Sequence, residues 1–265
     1  MKIGIFDSGL GGLFILKNLR KTLSKFDYVY LGDTKNLPYG DKSQKELYNL
    51  TKNAINFLFK QDCQLVIIAC NTASSVLRKV QQDWLPYTKY TNHRVLGVIR
   101  PTAEQALSKQ HEIIGIIGTR RTIQSETYTT ELLDKNPNLK VISLAAPELV
   151  KMIESDNIDA KKIQKTIQPL LESKIQTLIL ACTHFGIIKR ELQKIFGKKV
   201  LIISQENLLP QKISAYLNKH PEILHRLSQN KSVQLYVTKK SLRYQTLSKK
   251  WFGEKTIINR AILSK

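Results

Sequence analysis

The sequence predicts an α/β protein made of two similar, doubly wound domains with mainly parallel sheets. Three observations lead to that prediction. Short aliphatic runs alternate with helix-patterned stretches nearly throughout the 265 residues. Two pieces of the first half are echoed in the second half at almost one offset. Both echoes end with polar residues just beyond an aliphatic run. Short apolar strands separated by helices imply a parallel sheet covered on both faces.

In chain order, "KIGIF" (2–6) reads as a buried strand, and "GGLFILKNLRKTL" (11–23) as a helix with apolar residues at helical spacing. "YVYLG" (28–32) is a second strand. "KSQKELYNLTKNAINFLFK" (42–60) is a long amphipathic helix with Leu47, Leu50, Ala54 and Leu58 on one stripe. "QLVIIA" (64–69) is a third strand, and "TASSVLRKVQQDW" (72–84) the next helix. After a break at 86–92, strands are expected at 94–99, 112–118, 140–144, 177–181 and 199–203, with helices including 121–134 and 159–173. The expected domains are 1–92 with 208–265, and 93–207.

Composition narrows the class. No apolar run approaches the roughly 20 residues of a membrane span, and the first residues lack the long apolar core of a secretory signal. A soluble, cytoplasmic protein is expected. Three cysteines do not form a disulfide framework. With no CxxC pair and five histidines that do not cluster with the cysteines, a structural zinc site is not expected. Basic residues outnumber acidic ones, 42 to 21, for a net charge of +21. They are scattered, with modest clusters at Lys239–Arg243 and Lys249–Lys250 and no nucleic-acid motif. A solvated lysine-rich surface is therefore favoured over a nucleic-acid partner, and the field would also attract a small acidic substrate.

The echo has a chemical consequence. "IGIFDS" (3–8) resembles "IGIIGT" (114–119), and "ACNT" at Cys70 resembles "ACTH" at Cys182. The offsets are 111 positions for Gly4 and Gly115 and 112 for the two cysteines. A duplicated α/β unit follows, with two lobes related by a pseudo-twofold axis and the active site in the cleft between them. Equivalent cysteines would then approach one substrate from opposite sides. Inverting a stereocentre needs one acid/base group on each face.

The strand ends supply the other candidates, since ligands of such sheets bind beyond the carboxyl ends of the strands. Cys70 precedes Asn71 and Thr72, which can cap a helix. A cysteine at a helix N-terminus has its thiolate favoured by the unpaired N–H groups and the dipole. Cys63, near the end of a long helix, is expected to be structural. "FDSGLGGL" (6–13) places Asp7 and Ser8 after the first strand, before a glycine-rich turn that matches neither a P-loop nor a dinucleotide fingerprint. Asp7 there suits a base, an orienting group, a ligand for an ammonium, or simply a helix N-cap. "GDTKNLPYG" (32–40) can present the backbone of Tyr39 and Gly40, or can be a plain loop. Thr183 and His184 follow Cys182, and His184 suits an acid/base partner. Thr119 and Thr122 surround a helix start where a carboxylate can bind.

Together, "GIFDSGLGGL", "YLGDTKNLPYG", "IIACNTAS", "GVIRPT", "IGTRRTIQSETY" and "LILACTHF" resemble the glutamate racemase family, within the cofactor-independent aspartate/glutamate racemases. The C-terminal "LYVTKKSLRYQTLSKKWFG" resembles that family's closing strand and helix. The resemblance covers nearly the whole chain in collinear order. It implies two α/β domains, no cofactor, a homodimer, and D-glutamate for bacterial peptidoglycan synthesis; no metal is expected. It implies that Cys70 acts on D-glutamate and Cys182 on L-glutamate, assisted by Asp7, His184 and Glu154. Substrate contacts are implied at Asp7, Ser8, Tyr39, Gly40, Asn71, Thr72, Thr183 and His184.

The sequence departs from the family pattern at Phe185-Gly186, where Tyr-Pro is usual, and at Ala146-Pro147, where Cys-Pro is usual. "SQEN" (204–207) stands where an Asp-Ser-like pair is expected. The sequence opens on its first strand, so the N-terminal extension of regulated members is not expected. Two alternatives remain at this level: a racemase of aspartate or another acidic amino acid, and a non-catalytic relative that binds nucleic acid through its basic surface.

Overall fold

A computed structural model describes residues 1–253 and 257–263. The chain divides into two compact units, Met1–Val98 with Leu209–Lys265, and Ile99–Leu208. In the first unit, strands β1 (Lys2–Asp7), β2 (Tyr28–Gly32), β3 (Cys63–Ile68) and β4 (Arg94–Gly97) form one sheet with two later strands, β9 (Val233–Val237) and β10 (Ile258–Arg260). The order is β10-β9-β2-β1-β3-β4, and every pairing is parallel. The second unit carries β5 (Ile113–Gly118), β6 (Lys140–Ala145), β7 (Thr177–Ala181) and β8 (Leu201–Ile203), in the order β6-β5-β7-β8, again all parallel.

The duplication is visible in these orders. Mapping β1–β4 onto β5–β8 turns β2-β1-β3-β4 into β6-β5-β7-β8. Gly4 and Gly115 both lie in the strand paired on both sides at the centre of this common pattern. Burial explains the unbroken aliphatic character of the strands. All five residues of β2, all six of β3 and all five of β7 are buried, as expected for parallel strands covered on both faces. Each unit has its own apolar core. One gathers Phe6, Val29, Leu58 and Val66, and the other has two clusters, around Ile117 and Leu178 and around Ile114 and Ile179.

Several boundaries differ from the sequence expectation. Residues 94–97 pair with β3, so the segment expected to open the second domain at 93 belongs to the first sheet. The helix expected over 72–84 is two helices, Asn71–Ser74 and Leu77–Asp83. Serine hydroxyls compete for the backbone there: Ser74 Oγ donates to the Ile68 carbonyl at 3.0 Å and Ser75 Oγ to the Thr72 carbonyl at 2.7 Å. The helix expected over 121–134 is also divided, at Glu126, whose φ of 52° is left-handed. Cys63, just past the end of the long helix, begins β3 and is fully buried, and burial pushes its thiol well above the usual range.

One carboxylate helps anchor the chain where it returns to the first sheet. Asp27, just before β2, accepts from Asn230 Nδ2 at 2.9 Å and from the Ser232 N–H at 2.7 Å. Burial opposes its ionisation, but hydrogen bonds from Ser228, Ser232 and Asn230 outweigh it and hold the carboxyl well below the usual range. A carboxyl depressed on folding stabilises the native state above its unfolded value, about 3.9, and that contribution is lost as pH falls from there toward the folded value. Asp27→Asn is therefore expected to cost about 2 kcal/mol at pH 7. Thermal melts at pH 7 and pH 3 check this: the gap to the unsubstituted protein narrows at the lower pH, and a constant gap contradicts the assignment.

Candidate active site

The candidate residues lie at the carboxyl ends of strands in each sheet. In the first unit, β1 and β3 pair up to Phe6 and Ile68, and the Ala69 N–H still donates to the Phe6 carbonyl at 2.8 Å. The next residue is Cys70, which starts the short helix Asn71–Ser74. Cys70 itself is the N-cap, rather than Asn71 or Thr72 as expected: its Sγ accepts from the Ala73 N–H at 3.4 Å. Ser8 Oγ lies 3.3 Å from the same sulfur. The sulfur thus has a hydroxyl and a backbone N–H beside it, both able to donate to a thiolate. Asn71 and Thr72 are buried in the same turn.

Asp7 is fully buried. Its Oδ2 accepts from the N–H groups of Gly9 at 3.3 Å and Gly12 at 3.1 Å. The N-cap of the helix Leu13–Thr22 is Gly12, without a side-chain cap, so Asp7 organises the whole glycine turn. Close packing explains two of the glycines. A Cβ at Gly12 would stand 2.8 Å from the Asp7 Cβ, and one at Gly32 would stand 2.3 Å from the Gly9 carbonyl oxygen. That oxygen also accepts from the Tyr30 hydroxyl at 2.9 Å. Burial first, and then the charges of Asp7 and Cys70, push the Tyr30 phenol well above its usual range, which keeps it a donor.

Tyr39 and Gly40 sit in the 3₁₀ turn Tyr39–Asp41, which packs against Asn71–Ser74. Sequence reasoning missed what holds this turn. Asp33, fully buried, accepts from Tyr39 Oη at 2.6 Å, from Asn36 Nδ2 at both of its carboxylate oxygens, 2.9 and 3.0 Å, and from Thr238 Oγ1 at 2.7 Å. Its position at a strand end, one residue past β2 as Asp7 is the last of β1, was the available signal. Nothing local marks Thr238, which arrives from β9. The Tyr39 phenol is raised well above its usual range by burial and then by Asp33, so it stays protonated and donates.

In the second unit, Gly118 of β5 pairs with Ala181 of β7. Thr119 and Cys182 are therefore the next residues on adjacent strands. Thr119 caps the helix Arg120–Gln124 by accepting from the Thr122 N–H at 3.2 Å, and the two threonine hydroxyls are 2.9 Å apart. Cys182 leads into the 3₁₀ turn Thr183–Gly186, where Thr183 and His184 are buried. His184 Nδ1 is 3.8 Å from Cys182 Sγ, and its Nε2 is 3.4 Å from Glu154 Oε1. Glu154 ends the helix Pro147–Glu154, which packs on the turn. The order thiol, imidazole, carboxylate is that of a nucleophile or base oriented through a third group. With Nε2–H directed at Glu154, Nδ1 is left to exchange a proton with the sulfur.

The two cysteines are thus supported differently. Removing the Ser8 hydroxyl tests the first arrangement. Ser8→Ala in a Cys182→Ser background is expected to slow iodoacetamide alkylation of Cys70 at neutral pH roughly tenfold, the size of one charge-assisted hydrogen bond. An unchanged rate contradicts a role for Ser8 at the sulfur.

The model of the Asp/Glu/Hydantoin racemase family matches residues 17–205. A glutamate racemase of Bacillus cereus is 34% identical over 257 residues, 95% of this chain and 93% of that protein. A glutamate racemase isoform of Bacillus anthracis superposes with a TM-score of 0.87 at 29% identity, covering 99% of this chain and 97% of that one. A glutamate racemase of Francisella tularensis in complex with D-glutamate gives a TM-score of 0.86 at 29% identity, with 100% and 97% covered. The chain belongs to the Asp/Glu/hydantoin racemase family.

Proposed function

We propose that the protein is a glutamate racemase that interconverts L- and D-glutamate without a cofactor, using Cys70 and Cys182 as its two bases. One observation carries this reading: equivalent strand ends, β3 and β7, each lead into a cysteine that has its own polar support. The names of the relatives and the D-glutamate complex of the Francisella neighbour support glutamate as the substrate.

In this reading, the Cys70 thiolate takes the α-proton of D-glutamate, and its S–H bond forms as the C–H bond breaks. The electron pair left on the α-carbon delocalises into the carboxylate. Cys182 then gives its thiol proton to the opposite face, and L-glutamate leaves with Cys70 as thiol and Cys182 as thiolate. The reverse reaction starts from that state. The α-proton is a weak acid, so the charge that develops needs fixed donors in place of water. The backbone N–H groups of the Asn71–Ser74 turn and the hydroxyls of Thr119, Thr122 and Thr183 are the groups proposed to bind the carboxylates. Asp7 and the His184–Glu154 pair are proposed to assist proton transfer at Cys70 and Cys182 respectively. The D-glutamate formed in the cytoplasm would feed bacterial peptidoglycan.

Enantiomers have equal free energies, so kcat/KM must be equal in the two directions for any variant. Cys70→Ser and Cys182→Ser are therefore each expected to lower kcat/KM from both enantiomers by about 10²–10⁴-fold. Circular dichroism of L- and D-glutamate solutions follows this directly. A protein that leaves both enantiomers unchanged, or a serine variant with most of its activity, defeats the reading.

A further inference from the structure

The turn that carries His184 rests on a segment from the neighbouring strand. β8 pairs with β7 through Ile203 and Ile179, and the chain then continues as Ser204, Gln205 and Glu206 beside the carboxyl end of β7. Each of these three residues holds part of the Cys182 region. Gln205, buried, donates from Nε2 to the carbonyl of Leu180 at 2.8 Å, two residues before Cys182. Ser204 Oγ accepts from Lys189 Nζ at 3.0 Å, just past the turn, and donates to Glu206 Oε1 at 2.6 Å. The Glu206 carboxylate lies against Gly186, the last residue of the turn. A Cβ there would stand 3.0 Å from its Cδ and Oε2 and 3.1 Å from its Oε1.

An acid in the first turn of a helix is ordinary, since it complements the dipole. Here the carboxylate also packs on Gly186, two residues from His184, so closely that a side chain at 186 would make it give way by a few tenths of an ångström. We infer that Glu206 is a positioning residue for Cys182 and His184, acting through Gly186 and braced by Ser204. This inference rests on the reading of Cys182 as one of the two bases. The glutamate side chain fills the space beside Gly186 and so limits the conformations of the turn that sets the distance from Nδ1 to Sγ.

The test combines turnover with a readout confined to one cysteine. Glu206→Ala is expected to lower kcat about tenfold, as a small misplacement of a catalytic group does. It should change the rate at which iodoacetamide alkylates Cys182, measured in a Cys70→Ser background, by at least about threefold, and leave that of Cys70, measured in a Cys182→Ser background, unchanged. Glu206→Gln keeps the acceptor for Ser204 and the packing on Gly186, so it should stay within about threefold of the parent in both measurements. Gly186→Ala should also lower kcat, but much less in the Glu206→Ala background, where the methyl group has room. Multiplying effects of the two substitutions, equal changes at both cysteines, or a Glu206→Gln variant as impaired as Glu206→Ala would overturn the inference. A parent protein inert toward glutamate defeats the substrate reading alone, and the alkylation rates then decide on Glu206.

Discussion

Parallel pairing places the carboxyl ends of neighbouring strands at one edge of a sheet, and Asp7, Cys70, Thr119 and Cys182 all stand at such ends. The backbone must satisfy its N–H and C=O groups in the ladder until the chain leaves the sheet. In the first unit the last ladder contact of β3 with β1 is made by Ala69, and in the second the last pair of β7 with β5 is Ala181 with Gly118. The next residue in each case is the cysteine. Its position is therefore set by the register of a fully buried sheet, which resists slippage because one face cannot be exchanged for the other at no cost. On the adjacent strands, Thr119 is likewise the first residue after β5, and Asp7 is the last residue of β1.

The common scaffold supports two different chemical surroundings. Cys70 has a serine hydroxyl and a helix-start N–H at its sulfur, with a buried aspartate organising the glycine turn that carries the serine. Cys182 has an imidazole, oriented in turn by a carboxylate at the end of a helix. Two bases that serve enantiomers need not be alike, because only the overall equilibrium is fixed by the equal free energies of the substrates. The duplication supplies the placement, and divergence of the turns after each strand supplies the tuning.

Much of this was legible in the sequence because it is local or periodic. The buried strands declare themselves as unbroken aliphatic runs, and the equivalence of Cys70 and Cys182 shows in the near-constant offset. What escaped depends on contacts between distant segments. Asp33 gains its importance from Tyr39 and from Thr238, more than two hundred residues away in the chain. β4 looks like the start of a second domain until its pairing with β3 is seen. The break at Ser75 and Val76 comes from serine hydroxyls that reach backbone carbonyls, which periodicity does not register. Only the short turn at Gln61 and Asp62, the latter with φ of 65°, separates the long helix from the equally apolar strand that Cys63 begins, and periodicity does not mark that change. The resemblance, and no local pattern, singled out Glu154, and its reach to His184 needs the fold.

The central claim is that two different bases handle the two faces of one α-carbon. It is tested most directly by racemising L-glutamate in deuterium oxide and stopping at a few per cent conversion. Mass spectrometry of the separated enantiomers should find the D-glutamate carrying deuterium at the α-carbon while the remaining L-glutamate keeps its protium. The product then draws its proton from a group that has equilibrated with solvent, and the substrate's own proton stays on the other base. D-glutamate that retains the original proton, or equal deuterium in both enantiomers, would mean that one group serves both faces and would contradict the account.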